Sequence, residues 1–245
     1  MQIKREYVEI SVAGKMMRTL ISHPTNAGKY PGLVLFSDIF QLSEPLQRFC
    51  ARLAGYGFVI AAHEIFHRLE PAGTILPQDD EGRLRGTSNQ QATPVAHFDE
   101  DCQAVIAYLK KHPLVAENKI GAGGFCIGGH LAFRAALQPE VKTTVCFYPT
   151  WLHNGKLGQG ENADSLTRAA EIRGEMLIVF GTLDQMIPHE ARVMIEKTLK
   201  KIGVKFETRM YAAEHGFMRD DRAAYDPEYA DKAFGEAAKF FRRGF

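Results

Sequence analysis

The sequence lacks the features that direct a chain to a membrane. No apolar run among its 245 residues approaches the about 20 residues that a transmembrane helix needs. The first ten residues, MQIKREYVEI, contain no apolar core of the kind found in secretory signals. We therefore expect a cytoplasmic protein that has no membrane partner.

The sequence also lacks an excess of charge of either sign. Thirty basic and 29 acidic side chains leave a formal net charge of +1 at pH 7. Since nucleic-acid binding usually comes with a strong basic excess, we expect no such partner. No G-x-x-x-x-G-K-[ST] or G-x-G-x-x-G motif follows a predicted strand, so nucleotide binding has no support. The sequence predicts no cofactor, and it is compatible with a monomer or a small homo-oligomer.

Cysteine is scarce, and none of the four cysteines has a C-x-x-C spacing. In a reducing compartment they are free thiols by default. Cys50 and Cys102 lie within helical patterns and Cys146 lies in a predicted strand, so we interpret these three as small core residues. Cys126 has different neighbours and needs a different explanation.

Cys126 stands in the middle of residues 119–137, KIGAGGFCIGGHLAFRAAL. A short apolar run precedes it, and apolar residues at helical spacing follow it. Glycines on both sides allow a strand and a helix to approach closely around a residue in a strained conformation. This pattern is typical of a nucleophile elbow with cysteine in place of serine. The alternative is a glycine-rich turn around an inert, buried thiol.

Apolar runs and helical patterns alternate along most of the chain. After a predicted hairpin at 7–12 and 16–22, strands are expected at 33–37, 58–62, just before 126, and at 143–148, 176–181 and 205–211. Helices are expected at 44–54, 94–112, from 127 onward, at 188–202 and at 227–243, with Ser43 as the N-cap of the first. This alternation predicts one α/β domain over residues 1–245, with a mostly parallel sheet flanked by helices on both faces.

Two segments show neither pattern. Residues 67–93 are rich in turn-forming and polar residues, and we interpret them as a functional loop beside the site. Residues 149–173 are predicted to be irregular, with one short helix, and they are a candidate cap.

Four polar side chains follow predicted strands. Asp38 follows LVLFS, Cys126 follows KIGAGGF, Asp184 follows MLIVFGT and His215 follows ETRMYAA. Since the carboxyl ends of parallel strands share one edge of a sheet, we expect these residues to converge there. A thiol nucleophile needs a base, and the base needs an orienting carboxylate. The chain order of Cys126, Asp184 and His215 is the nucleophile–acid–histidine order of α/β-hydrolases, so we predict a catalytic triad.

The segments GFCIGG, GTLDQMIP and HGF resemble the nucleophile, aspartate and histidine motifs of the dienelactone hydrolase family. The resemblance runs over nearly the whole chain and implies the α/β-hydrolase fold. It implies that Cys126, Asp184 and His215 are the triad and that the backbone N–H groups of Ile127 and Ile39 form the oxyanion hole. The expected reaction is hydrolysis of a small-molecule ester or lactone through a thioester.

The resemblance also suggests residues that contact the substrate or the thiol. Asp38 occupies the position of a family glutamate that interacts with the resting cysteine and helps to ionise it; Asp38 could act through water or be purely structural. Dienelactone-cleaving members hold a substrate carboxylate with two arginines. Arg219 matches one of them, and Arg85 is the candidate for the other, with Arg83 as its rival.

Three aromatic side chains near the predicted site allow two interpretations each. Trp151, the sole tryptophan, either lines an apolar pocket or packs in the core below a loop. Phe40 and Phe66 follow strands at the same edge and have the same two interpretations. His67 is a further candidate for the pocket.

Two alternative functions remain open. The segment HEIFH matches the H-E-x-x-H zinc pattern with His63 and His67, but it follows a strand, whereas that chemistry needs a helix. A zinc hydrolase is therefore the weaker alternative, and the main prediction includes no metal. The other is a non-catalytic protein that binds a small ligand on the hydrolase fold.

Overall fold

A twisted eight-stranded sheet lies at the centre of the computed structural model, which describes residues 1–159 and 163–245. Its strands, in chain order, are β1 (Ile3–Val12), β2 (Lys15–Pro24), β3 (Tyr30–Phe36), β4 (Val59–His63), β5 (Val115–Phe125), β6 (Val141–Phe147), β7 (Glu175–Gly181) and β8 (Phe206–Tyr211). They are arranged in the order β1-β2-β4-β3-β5-β6-β7-β8. Only the β1–β2 and β2–β4 pairs are antiparallel, so the predicted mostly parallel sheet is confirmed.

Six helices connect and cover these strands within the described residues. They are α1 (Glu44–Gly55), α2 (Asp80–Ala92), α3 (Val95–Lys111), α4 (Ile127–Ala135), α5 (His189–Ile202) and α6 (Pro227–Arg243). Ser43 is the N-cap residue of α1, although its side chain makes no capping hydrogen bond. None of the helices in the described ranges has the length and apolarity required to cross a bilayer.

Helices cover both faces of the sheet. A Cβ atom added to Gly123 of β5 would meet Phe241 of α6, whereas one added to its neighbour Gly124 would meet Gly128 of α4. Because successive residues of a strand point to opposite faces, α4 and α6 lie on opposite sides. With both faces covered, the central strands are apolar along nearly their whole length, and β4 is fully buried.

Helix α2 corrects the prediction that residues 67–93 form a loop. Its sequence, DEGRLRGTSNQQA, has no clear apolar stripe, because it packs through small residues. At Gly86, an added Cβ would lie 2.8 Å from the carbonyl oxygen of Ile39. The carboxylate of Asp79 caps the helix by accepting the N–H of Gly82 at 2.8 Å. Hydrophobic periodicity therefore gave no signal for this helix.

The candidate cap is largely irregular, as expected. Within 149–173, the structure shows turns and a short 3₁₀ helix at Ala169–Glu171, and residues 160–162 lie outside the described part of the chain. The buried guanidinium of Arg134 connects this segment to the helices on the sheet. Arg134 of α4 binds Asp99 of α3 through two hydrogen bonds of 2.8 and 2.6 Å, and it also binds Asp164 of the cap at 3.1 Å.

Candidate active site

Cys126 lies on a sharp elbow between β5 and α4. Its backbone has φ 59° and ψ −120°, a region that non-glycine residues rarely adopt and that costs about 1–3 kcal/mol. Glycines make the turn sterically possible. A Cβ on Gly124 would lie 2.1 Å from the carbonyl oxygen of Gly128, and one on Gly128 would lie 2.3 Å from that of Ser37. The elbow therefore requires the glycines that identified it in the sequence.

His215 and Asp184 meet beside the elbow. Nδ1 of His215 lies 2.7 Å from Oδ2 of Asp184, and the second carboxylate oxygen accepts the N–H of Met186 at 2.8 Å. Since a carboxylate only accepts hydrogen bonds, Nδ1 carries the proton and Nε2 remains the basic nitrogen in neutral His215. Nε2 is buried and has no hydrogen-bond partner within the described residues. In unliganded active sites, the hydrogen bonds of the catalytic base are often long or poorly aligned.

The charges around His215 favour its protonated form. Burial alone would lower the pKa of the imidazole, but the sulfur of Cys126 and the carboxylate of Asp184 outweigh burial and raise the pKa to about 10. The His215 ring also packs edge-on against Tyr148, with the ring centroids 5.0 Å apart. The histidine is thus fixed in orientation and electrostatically coupled to the thiol.

The sulfur of Cys126 is largely enclosed. The residue is only 8% exposed, and its Sγ lies 3.6 Å from Oγ of Thr150. Because Ile127 opens α4, its N–H has no partner inside the helix and belongs to the positive end of the helix dipole. The N–H of Ile39 makes no hydrogen bond within the described residues.

Asp38 forms a buried ion pair. One of its oxygens accepts the N–H of Phe40 at 2.9 Å, and the other accepts a hydrogen bond from the guanidinium of Arg219. Arg219 also donates two hydrogen bonds to Asp221, at 3.0 and 2.8 Å. Two carboxylates therefore neutralise Arg219, and no hydrogen bond joins Asp38 to Cys126.

A cavity of about 350 Å³ opens above the elbow. Its lining mixes aromatic, apolar and cationic side chains and consists of Asp38, Ile39, Phe40, Arg83, Thr87, Cys126, Tyr148, Trp151, Met186, His215, Gly216, Arg219 and Arg222. Phe40 and Trp151 thus line the pocket, whereas Phe66 is in the core at 1% exposure. The cavity is large enough for a small organic molecule.

The position of Arg85 corrects the expectation that it contacts substrate. Its guanidinium donates two hydrogen bonds to Glu70, at 2.8 and 2.5 Å, and the residue is not part of the cavity wall. Arg83, its rival, does line the cavity. Arg83 and Arg85 lie on different sides of α2. Because this helix was not predicted, the sequence could not show which of the two arginines faces the cavity.

Sequence reasoning missed several residues of the site, including Tyr148, Thr150 and Arg222. Tyr148 is fully buried, and its hydroxyl has no hydrogen-bond partner in the described residues. Arg222 lies over the ring of Phe40, with its guanidinium carbon 6.0 Å from the ring centroid. The signal that could have identified Tyr148 and Thr150 is their position directly after β6, at the same sheet edge as the triad.

The H-E-x-x-H segment does not form a helical metal site. His63 is the last residue of β4, and its ring packs edge-on against Phe36. His67 lies in the following turns, and its Nε2 is 3.1 Å from Asp101 rather than facing the cavity. Across residues 1–159 and 163–245, no group of three or more histidine, cysteine, aspartate or glutamate side chains could hold a metal ion.

Comparison with known proteins tests the resemblance. The family model described as "Dienelactone hydrolase family" matches residues 17–245. The chain belongs to the dienelactone hydrolase family. This membership confirms the prediction of a dienelactone hydrolase-like enzyme that hydrolyses esters or lactones, as well as the predicted α/β-hydrolase fold.

Individual relatives cover most of the chain. A Saccharomyces cerevisiae protein named "Putative carboxymethylenebutenolidase" is 35% identical over 240 residues, which cover 94% of this chain and 88% of that protein. The Carboxymethylenebutenolidase of Pseudomonas putida is 24% identical over 215 residues, covering 88% and 86% of the two chains. The crystal structure titled "Putative Dienelactone Hydrolase" from Klebsiella pneumoniae superposes with a TM-score of 0.88 at 23% identity and covers 99% of this chain and 100% of that one.

Proposed function

We propose that this dienelactone hydrolase-family member cleaves small esters or lactones by covalent catalysis, with Cys126 as nucleophile, His215 as base and acid, and Asp184 as the group that orients His215. The observation that carries the proposal is the Asp184–His215 hydrogen bond beside a cysteine held on a strained elbow. Strain of this kind is characteristic of functional positions, because a purely structural turn gains nothing from it.

Cys126 reacts as a thiolate, because its proton has moved to Nε2 of His215 and the surrounding charges favour the imidazolium form of that histidine. The sulfur then attacks the substrate carbonyl carbon, and the C=O π electrons move to oxygen. When this tetrahedral intermediate collapses, the C–O bond to the leaving group breaks, and the His215 imidazolium protonates the departing oxygen. His215 next removes a proton from water, which attacks the thioester; the acid is released and the thiol is regenerated.

The oxyanion is stabilised by the N–H groups of Ile127 and Ile39. Both groups are without backbone partners, Ile127 because it opens α4 and Ile39 because it lies in a turn that lines the cavity. A donor of this kind typically contributes roughly 10²–10³ to kcat. The dipole of α4 adds a fixed positive potential at the same point.

The charges of the cavity favour a substrate with an anionic group. Asp38 is the one carboxylate in the described lining, and Arg219 neutralises it. Arg222 forms no ion pair with any described residue, and Arg83 pairs only with the exposed Asp80. We therefore propose that Arg222, assisted by Arg83, binds a carboxylate of the substrate. Arg219 instead holds Asp38 in place.

Cys126→Ala tests the proposal. Turnover of a p-nitrophenyl ester should fall to the uncatalysed rate, and brief incubation of the wild type should leave an acyl group on Cys126 in peptide mass spectra. Cys102→Ala, which removes a buried thiol outside the site, serves as the matched control and should retain activity. Activity retained by Cys126→Ala would remove Cys126 as nucleophile. Substrate binding by the wild type without turnover would instead favour the non-catalytic alternative.

A further inference from the structure

Thr150 contacts the nucleophile but is not part of the cavity wall. It follows the Tyr148-Pro149 pair after β6 and has no exposed surface. Its hydroxyl oxygen is 3.6 Å from Sγ of Cys126, and this is the one hydrogen-bond contact of the hydroxyl within the described residues. Because Thr150 is fully buried and does not line the cavity, a substrate there has no surface of Thr150 to contact.

Two backbone hydrogen bonds fix Thr150 in this position, and a third fixes the histidine that makes one of them. Its N–H donates to the carbonyl of Cys126 at 3.2 Å, so the residue is tied to the elbow itself. Its carbonyl lies 3.1 Å from Nδ1 of His130, and since a carbonyl only accepts, Nδ1 is the protonated nitrogen. Nε2 of His130 then accepts from the hydroxyl of Ser165 at 2.7 Å. The backbone of Thr150 is thus held through both its N–H and its carbonyl, with the hydroxyl 3.6 Å from the sulfur.

We propose that the Thr150 hydroxyl donates a hydrogen bond to the sulfur of Cys126 and stabilises its thiolate form, which makes Thr150 a further catalytic residue. The inference rests on the proposed role of Cys126 as nucleophile. A thiolate can only accept hydrogen bonds, whereas the hydroxyl has a proton that no other described group accepts. A hydrogen bond made to the charged form of an acid favours that form.

This contribution differs from those of the charged groups around the sulfur. The titratable and charged groups that face Cys126 from the surrounding elements are His215 with Asp184 behind it, Tyr148, Asp38, Arg83, Arg219 and Arg222. A hydroxyl carries no net charge, so its effect is short-ranged and insensitive to salt. Removing it should therefore change the ionisation of the thiol without changing the charge of the cavity.

The experiment compares Thr150→Val with Thr150→Ser. Valine keeps the shape and β-branching of threonine but has no hydroxyl, while serine keeps the hydroxyl. The rate of labelling at Cys126 by iodoacetamide, a neutral electrophile that the arginines do not attract, is measured across pH with peptide mass spectrometry. Thr150→Ala is a second hydroxyl-free variant in case the valine variant folds poorly, and circular dichroism checks each fold.

For Thr150→Val and Thr150→Ala, we expect the midpoint of the labelling profile to rise by about one pH unit. Below the midpoint, labelling slows about tenfold, because the ionised fraction falls by that factor. At high pH the variants should label at least as fast as the wild type, since a less stabilised thiolate is intrinsically more nucleophilic. A merely structural role would not produce this reversal. Thr150→Ser should follow the wild type.

An unchanged midpoint in both hydroxyl-free variants would overturn the inference. A midpoint shifted to lower pH would also overturn it, because the thiol would then be donating to the hydroxyl. The proposed function fails separately: ester hydrolysis retained by Cys126→Ala removes the nucleophile whatever the Thr150 variants show. If Cys126→Ala is inactive and the Thr150 profiles coincide with the wild type, only the inference about Thr150 fails.

Discussion

Asp184→Asn replaces one of the two carboxylate oxygens with an amide nitrogen. The hydrogen-bond partners of the two oxygens decide which of them is replaced. The N–H of Met186 donates to Oδ1 at 2.8 Å and would keep an oxygen there. The new NH₂ group would then face Nδ1 of His215, where Oδ2 lies 2.7 Å away in the wild type. Since an amide nitrogen only donates, Nδ1 must become the acceptor and the imidazole proton must move to Nε2. That tautomer cannot accept the thiol proton.

The size of the effect follows from the bond that is lost. Loss of the charge-assisted hydrogen bond, about 1.5–3 kcal/mol, sets a lower bound of roughly 10–150-fold on the loss in kcat/KM, and the inverted tautomer increases it towards the about 10⁴-fold of serine triads with the same change. The pH profile should change as well. Asp184 is one of the groups that raise the pKa of His215 to about 10, so its neutralisation lowers that pKa. Because the imidazolium protonates the leaving group, the alkaline limb of kcat/KM should move to lower pH.

The assay is hydrolysis of a p-nitrophenyl ester by both proteins, followed from neutral to alkaline pH. Glu214→Gln removes the exposed carboxylate next to His215 in sequence, which makes no hydrogen bond to its ring, and should change kcat/KM by less than about twofold. If Asp184→Asn retained a third or more of wild-type activity with an unmoved alkaline limb, the assigned role of Asp184 would be refuted.

Three further substitutions test the elbow, the cavity and α2. Gly128→Ala would place a Cβ 2.3 Å from a backbone oxygen and should cost more than about 3 kcal/mol in the free energy of unfolding, whereas Gly235→Ala, in open space on α6, should be neutral or stabilising in thermal melts. Arg222→Ala should raise KM about tenfold for a carboxylate-bearing aryl ester but less than about twofold for a neutral one; equal effects would contradict an anion site. Burial raises the pKa of Glu70, but its hydrogen bonds to Arg85 outweigh burial and hold that pKa below its usual value. The stability that this pair contributes is therefore present above the pKa of Glu70 in the unfolded chain, and it is lost as the pH falls through the folded pKa. Glu70→Gln should therefore lower Tm at pH 7 and make little difference near pH 3.

The sequence predicted those parts of the molecule that depend on local rules. The apolar runs of the central strands and the glycines around Cys126 follow from burial on two faces and from close backbone approach, and both can be recognised in a single segment. The order of Cys126, Asp184 and His215 became informative because each follows a strand. Family membership, inferred from three short motifs, is confirmed over residues 17–245.

The parts that were missed depend on tertiary contacts. Helix α2 packs through glycines and is polar elsewhere, so its sequence has the composition of a loop. On the same segment the sequence left Arg85 and Arg83 as rivals, because only the helical geometry shows that Arg85 pairs with Glu70 while Arg83 lines the cavity. The place of Thr150 after β6 puts it at the right sheet edge, but only its hydrogen bonds to Cys126 and His130 show that its hydroxyl meets the sulfur.

Asp38 shows how one distant contact changes the interpretation of a site. Its partner, Arg219, is 181 residues away in sequence, and the pair occupies the carboxylate that family resemblance connected with activation of the thiol. If that carboxylate stays on Arg219, ionisation of Cys126 depends on His215, the terminus of α4 and Thr150, all of which are in place without substrate. We therefore expect that a small carboxylate such as acetate, added at concentrations that saturate the cavity, does not increase the rate at which iodoacetamide labels Cys126. A labelling rate that rises with this ligand would show that Asp38 leaves Arg219 and that binding, rather than the resting structure, prepares the nucleophile.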